Sequence, residues 1–477
     1  MKQAIIIILT TLSFQGSAQK LRPEIKDLAQ RIQDRQLLDS EYTGKGGDTS
    51  DRYYNYLQLS SKANTDELVQ LLQHRAAVVK GYASWALLDK KYPKLGDIFT
   101  KFLENGETVL TQSGCTLSQD ELASVLYYRV FYRYSPEEVP KNDSLFFQTQ
   151  IIQFDSILIN HKKENSLLST ALQHNNGNPK HYNRIRQLAF NNKNSDALQA
   201  LAIYQRKEDI EAFKKFGEDA FASIALFPDD EFWDFLLSFK EHRQSDHYLM
   251  ALAAFRSKKS AEVLSETLPE MKDSNADYVI SGINDSSIEN FSKAISKNYC
   301  IHYQDLILKV WEQYKVIDHN ATTKLIQDIP EKAATSFSAV LLSDKALNFV
   351  EYDPDIGTIH KILPKMLECI KTCQKSELLM ICEQNIRIRR NIILEQFLEF
   401  VKDNHLTETS DEILNKLQQE NLPHDIFYLT ETILSFNIPE NNEKVIALLK
   451  TKRKDWDIDH LSERFSKLFQ TYGLKID

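Results

Sequence analysis

The sequence is poor in the two residue types that most often interrupt helices. Only 13 glycines and 12 prolines occur in 477 residues, whereas glycine alone makes up about 7% of an average protein. Few glycines leave little material for tight turns and for the loops that hold phosphate groups. Leucine, lysine, glutamate, glutamine and alanine, which favour helices, are abundant. The composition therefore predicts an all-α chain.

A strongly basic surface is also missing. The chain has 58 lysines and arginines against 67 aspartates and glutamates, which gives a net charge of -9. Its densest cationic clusters, residues 387–390 and 452–454, are short. Because proteins that bind nucleic acid neutralise phosphates with a basic patch, we expect no nucleic acid partner.

Beyond the N-terminus there is no apolar run long enough to span a bilayer, so the mature chain is predicted to have no transmembrane segment. The N-terminus itself has the pattern of a secretory signal peptide. Lys2 precedes an apolar stretch over residues 4–12, and Gly16 and Ala18 precede the predicted cleavage site. We therefore predict export to the periplasm or the cell exterior, with an uncleaved N-terminal anchor as the alternative.

Cysteine is scarce. The five residues are Cys115, Cys300, Cys369, Cys373 and Cys382. An odd and sparse set does not make a disulfide framework. Cys369 and Cys373 are four residues apart and share a helix face, which leaves a disulfide or a metal site as alternatives to buried thiols. A metal would need two further ligands, so we predict neither a metal nor a cofactor.

Helical periodicity is what the sequence does contain, and residues 65–105 show it best. Two apolar stripes flank a short break there; they consist of Leu68, Leu71 and Leu72, and of Val78, Val79, Tyr82, Ala83, Ala86 and Leu87. Such spacing is typical of amphipathic helices that pack in pairs. Similar segments begin at Ala202 and Ala253, 51 residues apart (253 − 202).

Residues 65–104 and 195–270 resemble the helix pairs of HEAT and armadillo proteins, in which small alanines let one helix pack closely on the next. The resemblance covers about a quarter of the chain. It implies an all-α fold, namely an irregular right-handed α-solenoid of stacked antiparallel helix pairs. It also implies a scaffold or a binder of proteins or peptides, since such repeats carry no catalytic set.

The same pattern suggests a division of the chain into four parts. These are a signal peptide (1–18), an N-terminal HEAT-like region (19–160), HEAT-like repeats (161–273) and a C-terminal region of degenerate repeats (274–477). The boundary near 160 precedes a strongly polar stretch, and the repeats after 273 are faint.

Residues 127–134 form the most aromatic segment. On a helix Tyr128 and Tyr132 share one face, with Arg129 and Arg133 beside it. Tyrosine and arginine are enriched at binding hot spots. We therefore select these four residues as candidates for partner binding; the alternative is a helix that is buried on both of its aromatic faces.

Patterns that carry catalysis are not recognisable. His242 and His247 are five residues apart, so they do not share a helical face as metal-binding pairs do. The acidic residues 229–231 suit a helix start better than a catalytic pair. We predict a non-enzymatic exported scaffold or binding protein that presents a concave surface to a protein or peptide. The alternatives are an α/α-toroid carbohydrate-active enzyme and a nutrient-binding helical protein.

Overall fold

A computed structural model describes most of the chain. The described residues are 21–43, 47, 49–133, 141–163, 165–242, 245–268, 286–343, 357–457 and 459–474. The predicted signal peptide lies outside them. The contacts divide the chain into two compact units, which we call unit 1, ending at Tyr204, and unit 2, beginning at Gln205. The boundaries at 160 and 273 stay predictions about repeats within these units.

Unit 1 is predominantly helical, as the composition predicts. Its described helices are α1 (Pro23–Arg35), α2 (Asp51–Lys62), α3 (Thr65–Leu71), α4 (Ala77–Asp89), α5 (Leu95–Asn105), α6 (Leu122–Arg133), α7 (Lys141–Asn160), α8 (Leu168–Gln173), α9 (Tyr182–Asn192) and α10 (Ser195–Ala202). Local chemistry sets several ends. Ser50 caps α2 by accepting from the Tyr53 backbone N–H, Asn64 and Glu67 form a capping box on α3, and Gly106 ends α5 at a φ of +59°.

Helix α4 lies at the centre of unit 1. Every residue from Gly81 to Leu88 is buried, which is typical of a helix that is apolar all round. Helices α2, α3, α5 and α6 pack against it. Ala83 and Ala86 are fully buried, as the repeat pattern predicts. Gly81 leaves room for Leu38, because a Cβ at position 81 would meet the end of the Leu38 side chain and force it to shift.

A small sheet also covers α4, and the sequence did not predict all of it. It consists of β1 (Leu38–Asp39), β2 (Thr108–Ser113) and β3 (Thr116–Glu121) in that order, with β1 parallel and β3 antiparallel to β2. The sequence pattern of Ser118 and Glu121 predicts a capping box at the start of the next helix, but both residues lie in β3, so this prediction is wrong. Ser118 pairs with Thr111 in the β2–β3 ladder, because Gly114, at a φ of +54°, permits a two-residue turn.

Unit 2 is described as helical segments, several of them short. Its α-helices are α11 (Ile210–Lys214), α12 (Phe221–Leu226), α13 (Trp233–Leu237), α14 (Asp246–Ala254), α15 (Lys258–Thr267), α16 (Ser286–Lys297), α17 (Gln304–Tyr314), α18 (His319–Asp328), α19 (Pro330–Leu341), α20 (Gly357–Cys373), α21 (Lys375–Ile388), α22 (Asn391–Asp403), α23 (Ser410–Gln419), α24 (Pro423–Ser435), α25 (Pro439–Thr451), α26 (Arg453–Trp456) and α27 (Asp459–Thr471). Within the ranges given above, no helix is both long and apolar enough to cross a membrane.

Helices in both units pack on the second helix along the chain as well as on the next one. In unit 2 the even-numbered helices contact in succession from α12 to α24, and the odd-numbered ones from α17 to α25. Unit 1 has the same relation from α2 through α4 to α6, and from α5 through α7 to α9. Helices α20, α22, α24 and α27 begin at residues 357, 391, 423 and 459, which are 34, 32 and 36 residues apart.

One predicted helix in unit 2 is in fact two. Apolar periodicity predicts a single helix over residues 377–402, but α21 ends at Ile388 and α22 begins at Asn391. Asn391 has a φ of +55°, and its backbone N–H donates to both carboxylate oxygens of Asp425 at 3.1 Å. The break therefore depends on a residue of α24, and the local pattern does not reveal it.

Candidate functional site on helix α6

Helix α6 has one buried face and one exposed face. Leu122, Leu126 and Tyr127 are fully buried, where α6 packs against α4, α5 and α7. By contrast, the side chain of Tyr128 is 39% exposed and that of Tyr132 is 71% exposed. The aromatic segment thus divides into a core face and a surface face. Tyr134 lies outside the described residues.

Tyr128 and Tyr132 lie side by side on the exposed face. Their ring centroids are 6.0 Å apart and their planes differ by 28°. The Tyr128 ring also meets the buried Tyr127 ring edge to face, at 5.7 Å. An exposed tyrosine offers an apolar ring and a hydroxyl that can donate or accept a hydrogen bond. The pair therefore offers a continuous aromatic surface with two polar ends.

Arg129 joins α6 to α2 and α4. Its guanidinium lies 4.5 Å from the centroid of the Trp85 ring and donates to the hydroxyls of Tyr53 and Tyr56 at 3.2 and 3.3 Å. Burial raises the pKa of Tyr56, so this phenol stays protonated and donates to the carboxylate of Asp89. Cation–π contacts and charge-assisted hydrogen bonds of this kind stabilise helix packing.

Arg133 is engaged in a similar way. Its guanidinium pairs with the Asp89 carboxylate at 2.5 Å. Both arginines selected from the sequence thus have partners within unit 1, and they hold α6 against α4. Of the four candidate residues, the structure brings Tyr128 and Tyr132 together at the surface. Whether Arg129 and Arg133 also contact a partner stays a prediction.

A polar cluster beside α6 was not found from the sequence. The Tyr127 hydroxyl donates to the Asp155 carboxylate at 2.7 Å, and His174 Nδ1 lies 3.3 Å from the other carboxylate oxygen. The Phe131 ring stacks on His174, with centroids 5.4 Å apart. Burial raises the pKa of Asp155 above its usual range. A signal was present, since Asp155 is the one charged residue in the mostly apolar segment 151–159.

This cluster connects helices and does not form a recognisable catalytic set. Burial also raises the pKa of Tyr127, so its hydroxyl is a donor to Asp155 and a poor nucleophile. No group of three or more His, Cys, Asp or Glu residues that could hold a metal ion occurs in the part of the chain that the structure describes. The cluster of Tyr127, Asp155 and His174 therefore holds Tyr127 in place and, through Tyr127, positions the exposed face of α6.

The cysteine pair also has a simple structural setting. Cys369 and Cys373 lie four residues apart on α20, and both are free thiols. Cys369 is buried, its thiol donates to the Pro330 carbonyl at 3.5 Å, and burial raises its pKa to about 12. A protonated thiol is a poor metal ligand. These contacts favour the interpretation of Cys369 as a buried core thiol.

No protein-family model, no curated protein and no solved structure matches this chain. Any role for α6 therefore has to come from its own contacts. Those contacts give two adjacent exposed tyrosines on a helix that is held by Arg129 among aromatic rings, by the Arg133–Asp89 ion pair and by the hydrogen bond from Tyr127 to Asp155.

Proposed function

We propose that this chain is an exported, non-enzymatic helical-repeat protein that binds a protein or peptide partner through the surface face of α6. The observation that carries the proposal is the exposed pair Tyr128 and Tyr132 on an otherwise tightly held helix. The proposed architecture is an irregular right-handed α-solenoid of antiparallel helix pairs with a concave binding surface.

Two features of the helix packing support a repeat architecture. Several helices contact both the next helix and the one after it, as α5 contacts α6 and α7 and as α20 contacts α21 and α22, and stacked helix pairs bury a continuous core in this way. The spacing of 32 to 36 residues between α20, α22, α24 and α27 is close to the lengths of known helical repeats, about 34 to 47 residues. An elongated particle in small-angle scattering is the expected result, and a compact, near-spherical particle would contradict the solenoid.

The energetics of tyrosine support a binding role for the exposed pair. A tyrosine has two side-chain torsions, so a large contact area is ordered at a small cost in conformational entropy. The contacts of Arg129 with Trp85 and of Arg133 with Asp89 hold α6 in place in the absence of a partner. Such preorganisation lowers the cost of association.

The test uses the mature chain as bait in cross-linking from the native cell envelope. The double variant Tyr128→Ser, Tyr132→Ser removes the aromatic surface, and Tyr54→Ser, at another helical tyrosine that is 58% exposed, is the matched control. We expect wild type and the control to capture the same protein, and the double variant to bind that purified protein at least about tenfold more weakly, as for a hot-spot residue. Equal affinity of all three proteins would refute the proposed site.

A further inference from the structure

Strand β3 forms an open edge of the small sheet in unit 1. The strand order is β1, β2, β3, so in the part of the chain that the structure describes β3 pairs with β2 on one side only. Residues 116–119 are all exposed. An open edge presents backbone N–H and C=O groups that can pair with a further strand.

The hydrogen bonds of the hairpin show which backbone groups point outward. The Leu122 N–H donates to the Glu107 carbonyl at 2.9 Å. Hydrogen-bonded pairs alternate with non-bonded pairs along an antiparallel ladder, so every second position counted back from Leu122 is bonded to β2. The N–H and C=O groups of Leu117 and Gln119 therefore point away from β2, and no hydrogen bond from a described residue engages them.

Devices that commonly protect an edge strand are not found along β3. Such devices include proline, lysine and a β-bulge. Residues 116–121 contain neither proline nor lysine. Their pairing with β2 is continuous from Thr116 to Glu121, without a bulge. The edge is thus regular enough to serve as the template for another strand.

The outer face of the hairpin carries two exposed leucines. Leu110 lies opposite Gln119 in the ladder. Leu117, two residues before Gln119, is therefore a diagonal neighbour of Leu110 on the same face. Leu110 is 40% exposed and Leu117 is 60% exposed, whereas Val109, on the other face, is buried. An apolar side chain of an added strand would extend this pair beside Leu117.

The charge of the hairpin indicates what kind of strand fits. Residues 108–121 contain only two charged residues, Asp120 and Glu121, and both are acidic. Opposite charges on neighbouring strands stabilise the pairing, and like charges opposite each other destabilise it. A strand with a basic residue is therefore favoured. A second copy of β3 would instead add two more carboxylates and no cation.

We infer that β3 binds an extended segment of another protein, which adds as an antiparallel strand with an apolar residue beside Leu117 and a basic residue beside Glu121. Main-chain hydrogen bonds to Leu117 and Gln119 supply affinity, and side chains at alternate positions supply specificity. Antiparallel pairing is slightly more stable per residue than parallel pairing. The site lies on a different element from Tyr128 and Tyr132 and does not depend on the role proposed for α6.

Hydrogen exchange of the full chain with a capped synthetic peptide tests the site. The probe alternates threonine with valine and lysine, so that valine and lysine lie on one face of an extended strand. At millimolar peptide we expect the amides of Leu117 and Gln119 to exchange at least about threefold more slowly. The same peptide with glutamate in place of lysine should bind about threefold to tenfold more weakly.

Two N-methylated peptides separate strand addition from side-chain contact alone. In an antiparallel pair, the partner residues opposite Leu117 and Gln119 direct their amides to β3 and their side chains to the outer face. Methylation of the valine and lysine amides should therefore abolish the protection. Methylation of the threonine amides, which point away from β3, should leave the protection in place.

Gln119→Pro and Gln119→Val form a matched pair of variants. Both remove the side-chain hydrogen bond from Gln119 to Thr108, but only proline removes the outward N–H. Because that N–H is not part of the ladder, an edge strand tolerates proline there. We expect Gln119→Pro to bind the basic peptide about threefold to tenfold more weakly and Gln119→Val to bind as wild type does. Equal melting temperatures would show that both variants are folded.

Several outcomes would overturn the inference. They are no protection of Leu117 and Gln119 at millimolar basic peptide, equal binding of the two methylated peptides, or equal binding by the two Gln119 variants. Protection that appears without peptide and rises with protein concentration would show that a second copy occupies β3, and would also overturn it.

Discussion

Arg129 in unit 1 and Lys365 in unit 2 are both partly buried cations that lie against the preceding even-numbered helix, but their surroundings differ. Arg129 stacks on Trp85 and donates to two phenols. Lys365 reaches an imidazole and a hydroxyl, with Lys361 as its neighbour. The first cation holds α6 against α2 and α4 through aromatic rings and phenols. The second links α20 to the first turn of α18 through hydrogen bonds alone.

The largest expected effect concerns Arg129. Arg129→Leu removes the cation–π contact and the hydrogen bonds to Tyr53 and Tyr56. We expect the free energy of unfolding to fall by about 2–4 kcal/mol, since hydrogen bonds to a charged group contribute about 1.5–3 kcal/mol and a lost cation–π contact adds to this. Urea denaturation measures it. A loss below about 0.5 kcal/mol, the range of an ordinary surface substitution, would show that Arg129 does not hold α6.

A smaller loss is expected from overpacking α4. Ala83 is fully buried at the centre of unit 1, so Ala83→Leu should destabilise by about 1–3 kcal/mol. Ala77→Leu, at the half-buried first residue of the same helix, is the matched control and should cost less. Thermal or urea unfolding of the two variants gives the difference. If Ala83→Leu left the free energy of unfolding unchanged, the inference of close helix packing at Ala83 would be wrong.

The Arg22–Glu67 pair predicts a pH dependence. The side-chain hydrogen bond from Arg22 lowers the pKa of Glu67 to about 2, from a reference value of 4.5. Because the folded-state pKa is depressed, the stabilisation is present above about pH 4.5 and is lost as pH falls toward 2. Glu67→Gln should cost about 1 kcal/mol at neutral pH and flatten the stability profile between those pH values. An unchanged profile in acid urea titrations would contradict the pairing.

The smallest expected effect concerns Lys361, which lies four residues before Lys365 on α20. Lys361→Gln removes one member of a like-charged pair four residues apart, so the chain should be unchanged or more stable by about 0.2–0.5 kcal/mol. Differential scanning calorimetry in chloride, beside the Arg129→Leu variant, measures it. A clear destabilisation would mean that Lys361 has a stabilising partner in the folded chain.

The sequence predicted those features of the fold that depend on local pattern. Amphipathic stripes predict helices over residues 356–372, 409–419, 424–435 and 458–472, and α20, α23, α24 and α27 match them to within a residue. A 3.6-residue period is visible without tertiary information. The division between α21 and α22 was missed, since the chain turns at Asn391 in response to Asp425. For β2 the pattern over residues 108–111 left a short extended piece and a linker as alternatives, and β3 was missed because Ser118 and Glu121 also fit a helix start.

Only the exposed residues of the candidate site were predictable from the sequence. Tyr128 and Tyr132 follow from helical spacing within one short segment. The aromatic surroundings of Arg129 could not be predicted in this way, because Tyr53 lies 76 residues from Arg129 in the sequence. The same holds for Lys365 and His319, which are 46 residues apart. Contacts between residues so far apart in the sequence depend on how the helices stack, and that stacking cannot be inferred from the local pattern of a single sequence.

Photo-crosslinking from α6 tests the central claim most directly. Tyr132 is replaced in the full chain by the photoreactive p-benzoyl-phenylalanine, expressed in its native host and irradiated, and the same replacement at Tyr54 serves as the reference. The proposal predicts a discrete cross-linked protein from position 132 and none from position 54. Cross-links from position 54 alone, or none from position 132 in cells that contain the protein, would contradict a partner-binding role for α6.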